Sequence, residues 1–69
     1  MTPPSTLAQQ IYEQVRREVV TGRLPAGAPL TEEDLAGRLS ASRTPIREAL
    51  VRLELEGYAE RGPQNRLMV

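Results

Sequence analysis

The 69-residue chain contains no cysteine and no histidine. The first absence excludes disulfides, thiolate metal sites and a cysteine nucleophile. The second removes the other common zinc ligand and the commonest general base near neutral pH. No Gly-rich phosphate loop and no Gly-x-Ser-x-Gly turn occurs either. Glu32, Glu33 and Asp34 form a carboxylate cluster, but it falls where acidic residues favour a helix N-terminus. The chain therefore reads as a non-enzyme with no cofactor of its own. Phe, Trp and Lys are also missing, so Tyr12 and Tyr58 are the only aromatics and the core must be aliphatic. Long apolar runs are absent as well: none approaches the ~18 residues of a membrane span. Met1 to Ser5 lack both the charge and the apolar core of a signal peptide. These features predict no membrane association and a cytoplasmic location. A chain of this length makes one domain at most and buries only about 60% of its unfolded surface. Little room for a small-molecule pocket is expected, so any effector should bind outside these residues.

Net charge is zero, which argues against indiscriminate nucleic-acid binding through bulk charge. The distribution is more telling than the sum. Between Ala36 and Leu53, Arg38, Arg43, Arg47 and Arg52 face a single acid, Glu48, a local surplus of three positive charges. The other acids lie before this segment (Glu13, Glu18, Glu32, Glu33, Asp34) or after it (Glu54, Glu56, Glu60).

Residues 1–5 read as a disordered lead, since Pro3 and Pro4 cannot enter a helix interior, and residues 6–69 as one domain. Ser5 or Thr6 caps a first helix whose Ala8, Ile11, Tyr12, Val15 and Val19 share one face, with Gly22 closing it in the left-handed conformation. The Pro- and Gly-rich connector from Arg23 to Leu30 cannot be helical; it is expected to pin Leu24 and Leu30 into the core, with Leu30 in a very short strand. Thr31 and Asp34 resemble a capping box and start a second helix over about Glu32 to Leu39, with Leu35, Ala36 and Leu39 inward. Ser40 and Ala41 form a tight turn into a third helix that stops at Gly57. Two short amphipathic helices joined so closely are the general form of a helix-turn-helix. Tyr58 to Arg61 and Leu67 to Val69 can then pair as a hairpin around Gly62 to Arg66. The expected fold is mainly α with a small β-hairpin: a winged helix-turn-helix of three helices plus wing.

The segment from Ser42 to Leu53 carries the functional signal. At about 100° per residue, Ile46, Ala49, Leu50 and Leu53 form one apolar stripe, while Arg43, Thr44, Arg47, Glu48 and Val51 lie elsewhere on the cylinder. Thr44 or Ser42 can accept a hydrogen bond from a first-turn N–H, and Pro45 is tolerated there. Arg43 and Arg47 are thus one turn apart at the N-terminal end, the end that reaches base edges in helix-turn-helix docking. An arginine fork offers two parallel donors to O6 and N7 of guanine, and its charge serves phosphate equally. Thr44 adds a hydroxyl and a methyl. Taken alone, such a pair is commonly a solvated face; the surrounding pattern is what favours a DNA reader. In the hairpin, Arg66 with Asn65 and Gln64 beside it would project toward phosphates or the minor groove.

The run Ser42-Arg43-Thr44-Pro45-Ile46-Arg47-Glu48-Ala49-Leu50, with Gly22 to Gly27 and Leu35-Ala36 before it and Leu53 to Gly57 after it, resembles the N-terminal DNA-binding domain of GntR-type bacterial transcription regulators, closest to the branch typified by the fatty-acid-responsive regulator. The likeness spans about Ile11 to Val69. It implies that Arg43 and Arg47 are the principal DNA contacts, that Ser42 and Thr44 assist, and that the hairpin tip touches the minor groove. It further implies a homodimer on a pseudo-palindromic double-stranded operator, commonly repressing until a metabolite releases it. A C-terminal domain absent from this chain would supply dimerisation and effector binding. Three positions depart from the pattern: Glu33 stands where members often carry arginine, Ser40-Ala41 replace Gly-Val in the turn, and Leu67 replaces a glycine after Arg66. The rival reading is a winged-helix module that binds protein and not DNA, suggested by the zero net charge and the missing lysines.

Overall fold

The computed structural model describes residues 6–69, so the expected disordered lead over residues 1–5 lies outside the described residues. Among these, three α-helices precede a two-stranded antiparallel hairpin: α1 Leu7–Val20, α2 Glu32–Leu39, α3 Arg43–Leu55, β1 Glu60–Arg61 and β2 Leu67–Met68. The expected winged helix-turn-helix order is present.

Each helix starts and stops for a local reason. Thr6 caps α1 by accepting the Gln9 N–H at 3.0 Å, and Thr31 caps α2 by accepting the Asp34 N–H at 3.1 Å. α3 differs from expectation. Ser42 has the extended backbone of an N-cap, but no side chain caps the helix; this end is exposed, so solvent can satisfy its unpaired N–H groups. At the far end Gly57 takes φ +86°, the Tyr58 N–H returns to the Leu53 carbonyl at 2.9 Å and the Gly57 N–H to Glu54 at 3.2 Å, a Schellman closure. The turn between α2 and α3 closes the same way, with the Ala41 N–H donating to the Ala36 carbonyl at 3.2 Å, but the left-handed residue is Ser40 at φ +52°. A Cβ in that region costs energy that glycine does not incur.

One core unites the elements. Ile11, Tyr12 and Val15 from α1, Leu35 from α2, and Ile46, Ala49, Leu50 and Leu53 from α3 are buried together with Leu30, Ala59 and Leu67. The expected stripes account for the helical members; of the other residues expected inward, Val19, Ala36 and Leu39 are partly buried against this core and Ala8 remains half-exposed. The periodicity also missed Glu18, which is buried. Its Oε1 accepts from Arg38 of α2 at 2.9 Å and its Oε2 from Gln14 at 3.3 Å, so both oxygens are satisfied.

The hairpin is shorter than expected because its flanking residues bond elsewhere. The Tyr58 N–H is spent on closing α3, which leaves β1 as Glu60 and Arg61, paired with Met68 and Leu67. Val69 pairs instead with the connector: its N–H donates to Ala28 and its carbonyl accepts from Gly27, both at 2.8 Å. The connector's bridge falls at Pro29, opposite Met68, and not at Leu30; Leu30 still donates its N–H to the Leu67 carbonyl at 3.0 Å. Leu67, standing where the resembled family has glycine, is buried and roots the wing in the core.

α1 and α3 share a polar clasp. The Tyr12 hydroxyl donates to Glu56, while Arg52 lies 3.9 Å above the Tyr12 ring and 3.5 Å from the Glu56 carboxylate. The hydrogen bond to Glu56 raises the Tyr12 phenol above its ordinary range, and the same bond, helped by Arg52, lowers the Glu56 carboxyl.

Two predictions follow from these features. Replacing Ser40 by glycine removes the left-handed Cβ clash and should stabilise the fold by about 0.5–1 kcal/mol after the added chain entropy is subtracted. The check is a rise of a few degrees in thermal midpoint. The clasp should impose two pH limbs. The Glu56 contribution is full above the ordinary carboxylate pKa of about 4.3 and is lost as pH falls through the lowered folded value. The Tyr12 contribution is full below about pH 10 and is lost as pH rises through the raised folded value. Urea melts from acid to alkaline pH should show both losses, and Tyr12→Phe should flatten the alkaline limb and shrink the acid one.

Candidate nucleic-acid interface

α3 presents two chemically distinct sides. Ile46 and Leu53 have no exposed surface, and Ala49 and Leu50 are buried with them. Ser42, Arg43, Thr44, Arg47, Glu48 and Val51 are exposed. Four of the expected site residues, Ser42, Arg43, Thr44 and Arg47, therefore gather on the first turn and a half of one helix. Asn65 and Arg66 are exposed at the hairpin tip. There a short 3-10 turn, Pro63–Asn65, places Gln64 and Asn65 at φ +61° and +59° without any glycine. Asparagine tolerates this region better than most residues.

Folding changes the electrostatics of this surface. Of the four arginines between Ala36 and Leu53, three meet acids supplied by other segments or turns. Arg38 pairs with Glu18 at 2.9 Å, Arg52 with Glu56 at 3.5 Å, and Arg47 with Glu32 of α2. The local surplus counted along the chain is thus largely offset, by Glu18 and Glu32 from distant positions in sequence and by Glu56 one turn beyond Arg52. Among the described residues, no hydrogen bond or ion pair holds Arg43.

The Arg47 contact is bidentate: Nε donates to Glu32 Oε2 and Nη2 to Oε1, both at 3.1 Å. It joins the start of α2 to the exposed face of α3. The Arg47 hydrogen bonds hold the Glu32 carboxyl below its usual range, with further help from the nearby charges of Arg43 and Arg61. The same pair raises Arg47. Glu33 is exposed beside it on the first turn of α2.

A groove of about 450 Å³ separates α3 from the wing, lined among others by Glu32, Arg47, Val51, Arg61, Asn65 and Arg66. Space of this order was not expected in so short a chain. It is an open surface groove between elements and not a hole in the aliphatic core. Arg61, which the sequence pattern did not single out, crosses the wing. Its Nη1 donates to the Asn65 carbonyl at 3.1 Å, and its Nε lies 3.4 Å from Glu54. Neither Arg61 nor Glu32 carried a spacing signal, since their partners come from other elements. Among the described residues no helix is long and apolar enough to cross a membrane, and no cluster of acidic side chains could hold a metal ion.

Comparison with known proteins agrees with this architecture. The family described as bacterial regulatory proteins, gntR family, matches residues 7–69. The HTH-type transcriptional repressor RspR of Escherichia coli K12 is 36% identical over 64 residues, covering 93% of this chain and 28% of that protein. The probable D-xylose utilization operon transcriptional repressor of Paenarthrobacter nicotinovorans is 41% identical over 56 residues, covering 81% of this chain and 25% of that protein. A GntR family transcriptional regulator from Pseudomonas syringae pv. tomato superposes with a TM-score of 0.84 at 35% identity, over 99% of this chain and 29% of its own. The chain thus spans between a quarter and a third of the length of these relatives, which are named as transcriptional regulators or repressors. Because the family match and the shared fold extend over nearly all the described residues, the chain belongs to the GntR family of bacterial regulatory proteins.

Proposed function

We propose that this domain binds double-stranded DNA sequence-specifically, as the reading head of a metabolite-responsive transcriptional repressor. In this reading α3 lies in the major groove with Ser42, Arg43, Thr44 and Arg47 toward base edges and phosphates. The hairpin brings Asn65 and Arg66 to the minor groove. The observation that carries it is the division of α3: four buried aliphatics hold one side while the first turns expose two arginines and two hydroxyls. The uncapped N–H groups at the start of α3 add to the case, since a helix N-terminus favours a phosphate approaching it.

Repression is supported by the names of two matched relatives, both called repressors. A pseudo-palindromic operator read by two copies of α3 follows if the protein dimerises through a region outside these residues. That region would also bind the effector. A lone copy makes few contacts and should bind weakly. No cofactor, no catalysis and a cytoplasmic location complete the proposal.

Selection of bound duplexes from a random-sequence pool should enrich a defined motif; a module that binds only protein would enrich none. On the enriched duplex, Arg43→Ala and Arg47→Ala should each weaken binding by roughly 1–3 kcal/mol and relax preference at one base pair where the contact is to guanine. Where the contact is to phosphate, the salt slope should fall by about 0.9 and all sequences should weaken alike. Unchanged affinity in both variants, measured by fluorescence anisotropy, would remove α3 from the reading role.

A further inference from the structure

The bidentate contact between Glu32 and Arg47 places an acid on the surface proposed to meet a polyanion, and DNA binding alone gives no reason for it. The geometry supplies one. Arginine carries five N–H donors in a planar fork. Glu32 takes the side-on edge, Nε and one hydrogen of Nη2, at 3.1 Å each. Both hydrogens of Nη1 and the second of Nη2 remain, and one from each nitrogen points outward in parallel to form the end-on edge. Two parallel donors on that edge are what O6 and N7 of guanine require. The carboxylate therefore occupies the part of the fork that base reading does not need.

Glu32 is also the better anchored partner. It opens α2 directly after the Thr31 cap, between the buried Leu30 and Leu35. Its side chain is 31% exposed against 66% for Arg47. A long exposed arginine without such a post samples many rotamers and reaches for the nearest phosphate. Held by Glu32, it keeps its direction while its charge is offset. Directional donors with little net charge favour a base edge over a phosphate, because base readout depends on geometry and phosphate attraction on charge.

We propose that Glu32 is a positioning residue that aims the end-on edge of Arg47 at a base and denies that guanidinium to non-specific phosphate contacts. This rests on the DNA-reading role proposed above. The test measures binding of the chain to two duplexes across a KCl series. One is recovered by the wild-type chain from a random-sequence pool; the other is the same composition scrambled. Glu32→Gln should bind the scrambled duplex several-fold more tightly, with a salt slope steeper by about 0.9, the signature of one added phosphate contact. The ratio of recovered to scrambled affinity should fall about tenfold or more, the loss of one well-held base contact.

Glu32→Asp keeps the charge but shortens the post, so it should lose discrimination without steepening the salt slope; it also serves should Glu32→Gln lose helical content by circular dichroism. With Arg47→Ala already in place, Glu32→Gln should leave the ratio unchanged. A parallel gain on both duplexes, with the ratio preserved, would reduce Glu32 to a competing charge and overturn the proposal. If the wild-type chain recovers no sequence, the DNA-reading role itself fails and this proposal goes with it. An intact ratio in both Glu32 variants alongside loss in Arg47→Ala would leave the reading role standing and remove Glu32 from it.

Discussion

Complete burial of Ile46 and Leu53 sets the rotation of α3 about its own axis, and nearly everything on the candidate surface depends on that rotation. Turning the helix by one residue would bring an arginine into an aliphatic core that offers it no partner, at a cost of several kcal/mol. The exposed position of Arg43, Thr44 and Arg47 is therefore a consequence of packing on the opposite side. The core reaches further: Leu67 ties the wing to it, and Leu30 ties the connector. The hairpin is rooted by the same interior that orients α3, so the two candidate contact regions keep a fixed relation despite the small size of the fold.

The charges obey a second constraint. The exposed Arg38, Arg47 and Arg52 each meet an acid, Glu18, Glu32 and Glu56 in turn. These pairs do different work. Glu18 to Arg38 satisfies a buried carboxylate and links α1 to α2. Glu56 with Arg52 and Tyr12 clasps α1 to α3. Glu32 with Arg47 lies on the exposed side, where an isolated ion pair contributes little stability, so its main consequence is the orientation of a guanidinium. Among the described residues no ion pair holds Arg43 in this way, so an untethered arginine stands one turn from a tethered one on the same helix.

Strain is concentrated in the turn and the wing tip. Ser40, Gln64 and Asn65 all take positive φ without being glycine. Ser40 sits between the two helices whose relative placement brings Glu32 to Arg47, and Asn65 holds Arg61 through its carbonyl. Of the three, Asn65 lines the groove between α3 and the wing.

Periodic burial made the helices legible in the sequence. The α1 and α3 stripes, the Thr31 cap, the glycines at positions 22 and 57 and the turn at Ser40 are all local features, decided by residues within one or two turns of each other. The likeness carried by the segment from Ser42 to Leu50 likewise needed no coordinates. Partner choice between elements could not be read in advance. Glu32 and Arg47 are 15 residues apart and Glu18 and Arg38 are 20 apart, and no spacing rule links residues on different elements. The hairpin's true extent was hidden for the same reason, since Tyr58 and Val69 bond to α3 and to the connector instead of to each other. What the chain alone determined was which faces turn inward, because side-chain polarity repeats with the helical period. Only the tertiary structure decided which charges meet, because electrostatic partners are chosen by distance in space and not along the backbone.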